Sequence, residues 1–377
     1  MLGASPAAAQ SVQQLWAHCR NKDSFDYQIA GCTALLQSGG LNDRDRLLAY
    51  TFRGQAYFTK GDNDHAIADL SEAIALDQTN AVVFYMRGIS FLNKVSDFDR
   101  AAADCDAAIR LDPKYQDAYR CRGNAYFWIG RYDRAIADYS AVIRFDPNNL
   151  AAFNNRAFAY HAVGDYDHAI ADFTQTLRLD PKNAAFQLAD RGILYRAKGD
   201  YGRAMADFNE AIRLAPAKPT AAYYWPYLNR GVTYLYTGAL PKAVADLRQA
   251  AALYHDPYGA LWLDIASRRS NLPSALAEAW KGLDHALWPA PIVELYLGQK
   301  TPEAVITAAD DPNTRKKRSQ TCEASFFVGE FLVLRGDKEG GRQFLKAAAD
   351  DCPPNDGAAW PAKAELAAID ATRSNRF

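Results

Sequence analysis

The sequence predicts an all-α fold: a right-handed α-solenoid of stacked helical hairpins with helical caps at both ends. Three observations carry this. A small residue recurs at Gly54, Gly88, Gly123, Ala157, Gly192 and Gly231, in steps of 34, 35, 34, 35 and 39. An aromatic follows three residues later each time (Tyr57, Phe91, Tyr126, Tyr160, Tyr195, Tyr234), a spacing that keeps both on one helix face. Breakers then sit at fixed offsets: Gly-Asp between the halves of a copy, as at Gly164 and Gly199, and Asp-Pro or Ala-Pro at the end of four copies, at Pro113, Pro147, Pro181 and Pro216.

The second half of each copy carries an Ala (66, 101, 135, 169, 204, 243) and, four residues on, a bulky or core-sized residue: Leu70, Cys105, Tyr139, Phe173, Phe208 or Leu247. The glycine lets the second helix approach, and the bulky residue fills the gap. Small, aromatic, Ala, large and Pro at this spacing resembles the tetratricopeptide repeat over residues 47–257. The extra residue of the second copy falls near Val95 and Ser96, and five more lie between copies at Lys218 to Tyr223. These are joints, which leave stacked faces intact.

One departure from the repeat pattern is systematic. Where the family usually has Leu before the small residue, this chain has Arg53, Arg87, Arg122, Arg156, Arg191 and Arg230. The second helix answers with Asp69, Asp104, Asp138, Asp172, Asp207 and Asp246. A later hairpin, 322–353, has Val328 and Phe344 at these places, so both partners vanish together. That favours six Arg–Asp bridges over a basic ladder for an acidic ligand.

A solenoid has to cover its terminal apolar faces. Residues 11–46 read as an N-terminal capping hairpin, with helices at Val12–Arg20 and Tyr27–Gln37. Residues 258–377 read as a helical C-terminal region: Ala260–Arg268, Ser274–Leu287, Val293–Leu297, Pro302–Ala309, the divergent hairpin 322–353, and a last helix from Ala362, with 310–320 a polar loop. Trp288-Pro289, Leu295-Tyr296-Leu297-Gly298, Glu323, Phe326-Phe327 and Gly329 resemble the C-terminal region of NlpI-like bacterial periplasmic lipoproteins. That resemblance implies an adaptor that brings peptidoglycan hydrolases to a protease.

Residues 1–10 resemble the tail of a secretory signal, with Ala7 and Ala9 before a new terminus at Gln10. Cys19 and Cys32 flank a polar turn between two short helices, and Cys322 and Cys352 sit at paired ends of the late hairpin. Both pairs are expected to be disulfides, which suits a periplasmic or secreted location, with the cytoplasm as the alternative. Cys105 and Cys121 read as small buried hydrophobes.

The chain has 43 basic and 44 acidic residues, so no global field favours nucleic acid. No apolar run approaches the length of a membrane helix. Zincin, Cys-x-x-Cys, phosphate-loop and Gly-x-Ser-x-Gly signatures are absent, the six histidines are scattered, and no metal or cofactor is expected. His65 and His168 read as surface residues. The expected function is a non-catalytic scaffold that binds a partner protein or peptide; the alternative is a cell-envelope enzyme with an unmarked site in 258–371.

Binding residues are expected on the face of the first helices next to the core stripe: Tyr85, Arg120, Asn124, Phe127, Trp128, Asn154, Asn155, Phe158, His161, Arg196 and Tyr236. Aromatics beside hydrogen-bonding groups suit an extended peptide. Ala189 and Ala197 leave room for a bulky group. Arg120, Asn124 and Asn155 resemble three positions of the clamp that grips C-terminal carboxylates, but Phe186 and Asp190 stand where its remaining basic residues belong, so that capture mode is not expected.

Overall fold

The computed structural model describes residues 11–94, 97–216 and 220–374. Among them every regular element is a helix. The signal-like residues Ala7, Ala9 and Gln10, the insertion at Val95 and Ser96, and the start of the joint at Lys218 lie outside the described residues. Two compact units are present, residues 1–159 and 160–377, with the division inside the fourth repeat.

Unit 1 opens with α1 (Val12–Cys19) and α2 (Phe25–Gln37), joined by the Cys19–Cys32 disulfide. Ser11 caps α1 reciprocally with Gln14, and Ser24 caps α2, which fixes where both begin. Helix pairs follow: α3 (Asp43–Lys60) with α4 (Asn63–Leu76), α5 (Ala81–Asn93) with α6 (Phe98–Leu111), and α7 (Gln116–Ile129) with α8 (Tyr132–Phe145). α9 (Leu150–Ala162) runs across the boundary between the units.

Unit 2 contains α10 (Tyr166–Leu179), α11 (Ala184–Ala197), α12 (Tyr201–Arg213), α13 (Tyr224–Tyr236) and α14 (Leu240–Leu253). The C-terminal region adds α15 (Pro257–Arg269), α16 (Leu276–Trp280), α17 (Ala290–Tyr296), α18 (Pro302–Ala308), α19 (Thr314–Leu334), α20 (Lys338–Asp351) and α21 (Ala359–Ser374). Two boundaries differ most from the sequence expectation, the others shifting by up to three residues. α16 stops at Trp280, whose ring stacks on His285 at 4.1 Å once the chain turns back. α19 begins at Thr314 rather than after residue 320, because the Asn313 side chain accepts from the amides of Arg315 and Lys316, each at 3.1 Å.

The small positions act by close approach. A Cβ on Gly192 would meet the Phe208 ring at 2.7 Å, and one on Gly329 would meet Leu345 at the same distance. The second contact shows that α19 and α20 reproduce the repeat's joint.

The Arg–Asp ladder is structural. Arg53 holds Asp69 through two parallel bonds of 2.7 Å; Arg87–Asp104, Arg122–Asp138, Arg191–Asp207 and Arg230–Asp246 repeat the fork at 2.6–2.9 Å. The remaining guanidinium nitrogen, Nη1, reaches back to the preceding hairpin: to Thr33, Ser71, Asp106, Thr174 and Asn209, with Arg156 donating to Ser140 in the same manner. Each acceptor directly follows the bulky core residue of its own helix, or Cys32 in α2. After Leu247 that place is Arg248, which is exposed, and α15 carries no ladder arginine. The ladder ends where its acceptor becomes a cation.

Candidate functional site

In unit 1, α7, α8 and α9 enclose a cavity of about 390 Å³ lined by Asn124, Phe127, Trp128, Tyr139, Asn155 and Phe158. Asn124 Oδ1 accepts from the Tyr139 hydroxyl at 2.9 Å and from Asn155 Nδ2 at 3.1 Å. Those bonds fix both carboxamides and leave Asn124 Nδ2 as a donor and Asn155 Oδ1 as an acceptor at the cavity. Burial raises the Tyr139 pKa, so its hydroxyl stays protonated and donates. Trp128, 45% exposed, forms the outer wall: it stacks on Phe98 at 5.9 Å and meets Phe127 edge-on at 5.7 Å. Among the described residues no charged side chain lines the space. The lining sets one amide donor and one amide acceptor beside aromatic walls.

Five of the expected binding residues therefore meet in one cavity: Asn124, Phe127, Trp128, Asn155 and Phe158. Tyr85 and Arg120 belong to a neighbouring cluster, where Tyr85 packs on Tyr115 at 5.0 Å and Arg120 donates to Asp117 at 3.1 Å. Asn154 does not line the cavity. Sequence reasoning placed Tyr139 only in the core. The available signal was that its copy alone combines a hydroxyl at the bulky position with an amide after the small residue.

In unit 2 the expectation of an open binding face is corrected. Arg196 is 8% exposed, with its guanidinium 4.3 Å from the Trp360 ring centre and Nη1 donating to the Asn229 carbonyl at 3.3 Å. Burial lowers its pKa to about 10. Trp360 also meets Tyr236 edge-on at 5.4 Å and Tyr201 at 6.4 Å. His161 donates to the Pro354 carbonyl, and burial lowers its pKa to about 4. The chain's own segment from Pro354 to Trp360 thus covers His161, Arg196 and Tyr236. A terminal segment has apolar surface of its own to bury, and this face of the helices was available for it.

The missing carboxylate clamp is also explained. Phe186 is exposed against Tyr223, and burial raises the Asp190 carboxyl to about 7, an environment that repels rather than binds an anion. His65 and His168 are exposed, each held by the Asp that caps its helix. Cys322–Cys352 is a disulfide as expected. Cys105 and Cys121 are not free hydrophobes: they form a third disulfide, between α6 and α7, with Cα atoms 6.0 Å apart. Helical placement showed both as core positions, and adjacent hairpins bring those positions into contact. Among the described residues no helix is long and apolar enough to cross a membrane.

Sequence models of the family agree with this geometry. One described as TPR repeat matches residues 54–95 and 123–164; two described as tetratricopeptide repeat match 151–183 and 188–218. The chain carries tetratricopeptide repeats. Stress-induced-phosphoprotein 1 of Caenorhabditis elegans is 40% identical over 67 residues, 18% of this tetratricopeptide chain and 21% of that protein, so the chain spans about a fifth of that relative's length. Among solved structures, a tetratricopeptide protein from Parabacteroides merdae covers 68% of this chain and 96% of its own at 20% identity, with a TM-score of 0.49. MamA from Desulfovibrio magneticus covers 45% and 95% at 22% identity (TM-score 0.43). YrrB, described as a TPR protein with an unusual peptide-binding site, covers 49% and 93% at 18% identity (TM-score 0.43).

Proposed function

We propose that this protein is a non-catalytic adaptor of the cell envelope that holds a peptide segment of a partner in the cavity of unit 1. The carrying observation is the Asn124–Asn155 bond, which joins two hairpins and leaves one donor and one acceptor beside aromatic walls. A peptide amide supplies the complementary pair, and an apolar side chain of that segment fills the space between Phe127, Trp128 and Phe158. Removing such a site's aromatic anchor costs about 2 kcal/mol or more. Three disulfides support an oxidising compartment. The likeness of residues 288–329 to NlpI-like adaptors points the same way.

The test is calorimetry of the full chain with peptides selected from a random display library. Trp128→Ala should weaken binding at least about tenfold with little change in melting temperature, whereas Asn124→Ala should weaken it as much and also lower the melting temperature, because it strands the Tyr139 hydroxyl. Unchanged affinity in both variants would overturn the reading.

A further inference from the structure

Unit 2 holds a larger cavity, about 670 Å³, between α13, α15, α19 and the turn before α21. Its walls are aromatic. Trp262 lies 5.4 Å from Phe326 and 5.7 Å from Phe327 on one side. On the other, Trp225 and Tyr254 each meet Tyr224 edge-on, at 5.3 and 5.6 Å. Trp225 and Tyr254 are 59% and 51% exposed, so large rings stand in water at the rim of an aromatic-lined space.

The polar groups of this cavity carry one sign. Glu323 and Asp256 line it, and among the described residues no lining residue is Lys, Arg or His. Asp256 is committed to capping α15 through the amides of Tyr258 and Gly259. Glu323 is not fully committed. Its Oε2 accepts from the Tyr258 hydroxyl at 2.5 Å and from Trp288 Nε1 at 2.6 Å, whereas Oε1 has only the Ser319 hydroxyl at 3.5 Å. Both close donors are neutral, so they orient the carboxylate without offsetting its charge. Burial raises the pKa of Glu323, and nearby Asp356, itself raised to about 6, adds a further carboxylate to the same neighbourhood. Arg318 stands by Asp356 but does not line the cavity.

Ring faces attract cations through their quadrupole, and a half-buried carboxylate with a spare oxygen does so through its charge. We propose that this cavity binds an organic cation, an alkylammonium or guanidinium group carried by a small amine or by a Lys or Arg side chain of a partner. Glu323 is the counter-charge, Trp225 and Tyr254 close over the ligand's head, and Trp262 forms the floor. A neutral ligand such as a sugar would stack on the rings equally well but would leave the carboxylates unmatched. The proposal stands apart from the peptide cavity of unit 1 and does not depend on it.

Isothermal titration of the full chain at about pH 8, where the carboxylates are ionised, tests it with four probes: tetramethylammonium, N-acetyl-lysinamide, N-acetyl-argininamide and a blocked Ala-Lys-Ala peptide, against N-acetylglucosamine as neutral control. At least one cation should bind saturably. Glu323→Gln should weaken it about tenfold or more and Trp225→Ala about fivefold or more. Trp225 is exposed, so its replacement should leave the fold intact even if Glu323→Gln does not. Tighter binding of the tripeptide than of the free amines identifies a protein ligand; the reverse order identifies a small amine. The proposal is overturned if no cation binds below roughly 10 mM, if the sugar binds as tightly, or if Trp225→Ala leaves affinity unchanged.

Discussion

The guanidinium of Arg196 lies 4.3 Å from the centre of the Trp360 ring, so a cation on the repeat face of unit 2 is roofed by the chain's own last helix. The contact is stabilising because Arg196 is desolvated and its Nε has no hydrogen-bond partner among the described residues. Trp360→Ala should cost about 2–4 kcal/mol, the loss of a large packed ring together with the cation's cover. Trp360→Phe should cost about half as much. Urea unfolding measures both, and equal stability of the Ala variant and the wild type would contradict the roof.

Each ladder arginine serves two hairpins, so its loss should be felt across a joint. Arg87→Ala strands Asp104, which is 6% exposed, and should cost about 3 kcal/mol. Arg87→Lys should recover less than half of that, because an ammonium cannot reproduce the fork and the third bond to Ser71 together. The two midpoints in urea give the comparison. A fully restored Lys variant would show that charge alone matters.

The Cys105–Cys121 disulfide closes a separation of 16 residues between adjacent hairpins. Chain entropy for such a loop predicts about 3 kcal/mol of stabilisation, so the Cys105→Ala, Cys121→Ala double variant should melt well below the wild type. Non-reducing peptide mapping should find all three pairs. Six free thiols in the oxidised protein would contradict both the pairing and the envelope location.

His161 gives a pH signature. Its folded pKa is about 4, against about 6.5 for an unfolded histidine, because burial disfavours the charged ring. Between those values the unfolded chain takes up a proton that the folded chain refuses. Its part of the stability is therefore present above pH ~6.5 and is lost as the pH falls towards ~4, by on the order of 3 kcal/mol. The difference in unfolding free energy between wild type and His161→Phe, measured across this window, should shift against the wild type as acid is added. A difference independent of pH would contradict the burial.

The repeat frame was legible because each part is a local rule repeated six times. Gly54 with Leu70, or Arg53 with Asp69, is a fixed sequence interval that turns into a contact whenever two helices close on each other. The cavity of unit 1 was legible for the same reason, since Asn124, Phe127, Trp128, Asn155 and Phe158 share one helix face in neighbouring copies. What the intervals could not show were contacts of long range. Trp360 reaching Arg196, or Tyr258 reaching Glu323, depends on how the non-repeating region folds back. The Cys105–Cys121 bond was missed for a smaller reason: Cys105 occupies the place that Leu, Tyr or Phe fills in other copies, and Cys121 the place of Phe52 and Met86, so packing alone accounted for both.

The central claim is that the cavity between α7 and α9 receives the partner's peptide. The most direct measurement is site-specific photo-cross-linking, with benzoylphenylalanine placed at Trp128 in the cavity wall or at Leu111, an exposed residue ending α6. A selected peptide should cross-link at position 128 and not at 111, and excess unlabelled peptide should abolish the product. Cross-linking at 111 with none at 128 would contradict the account.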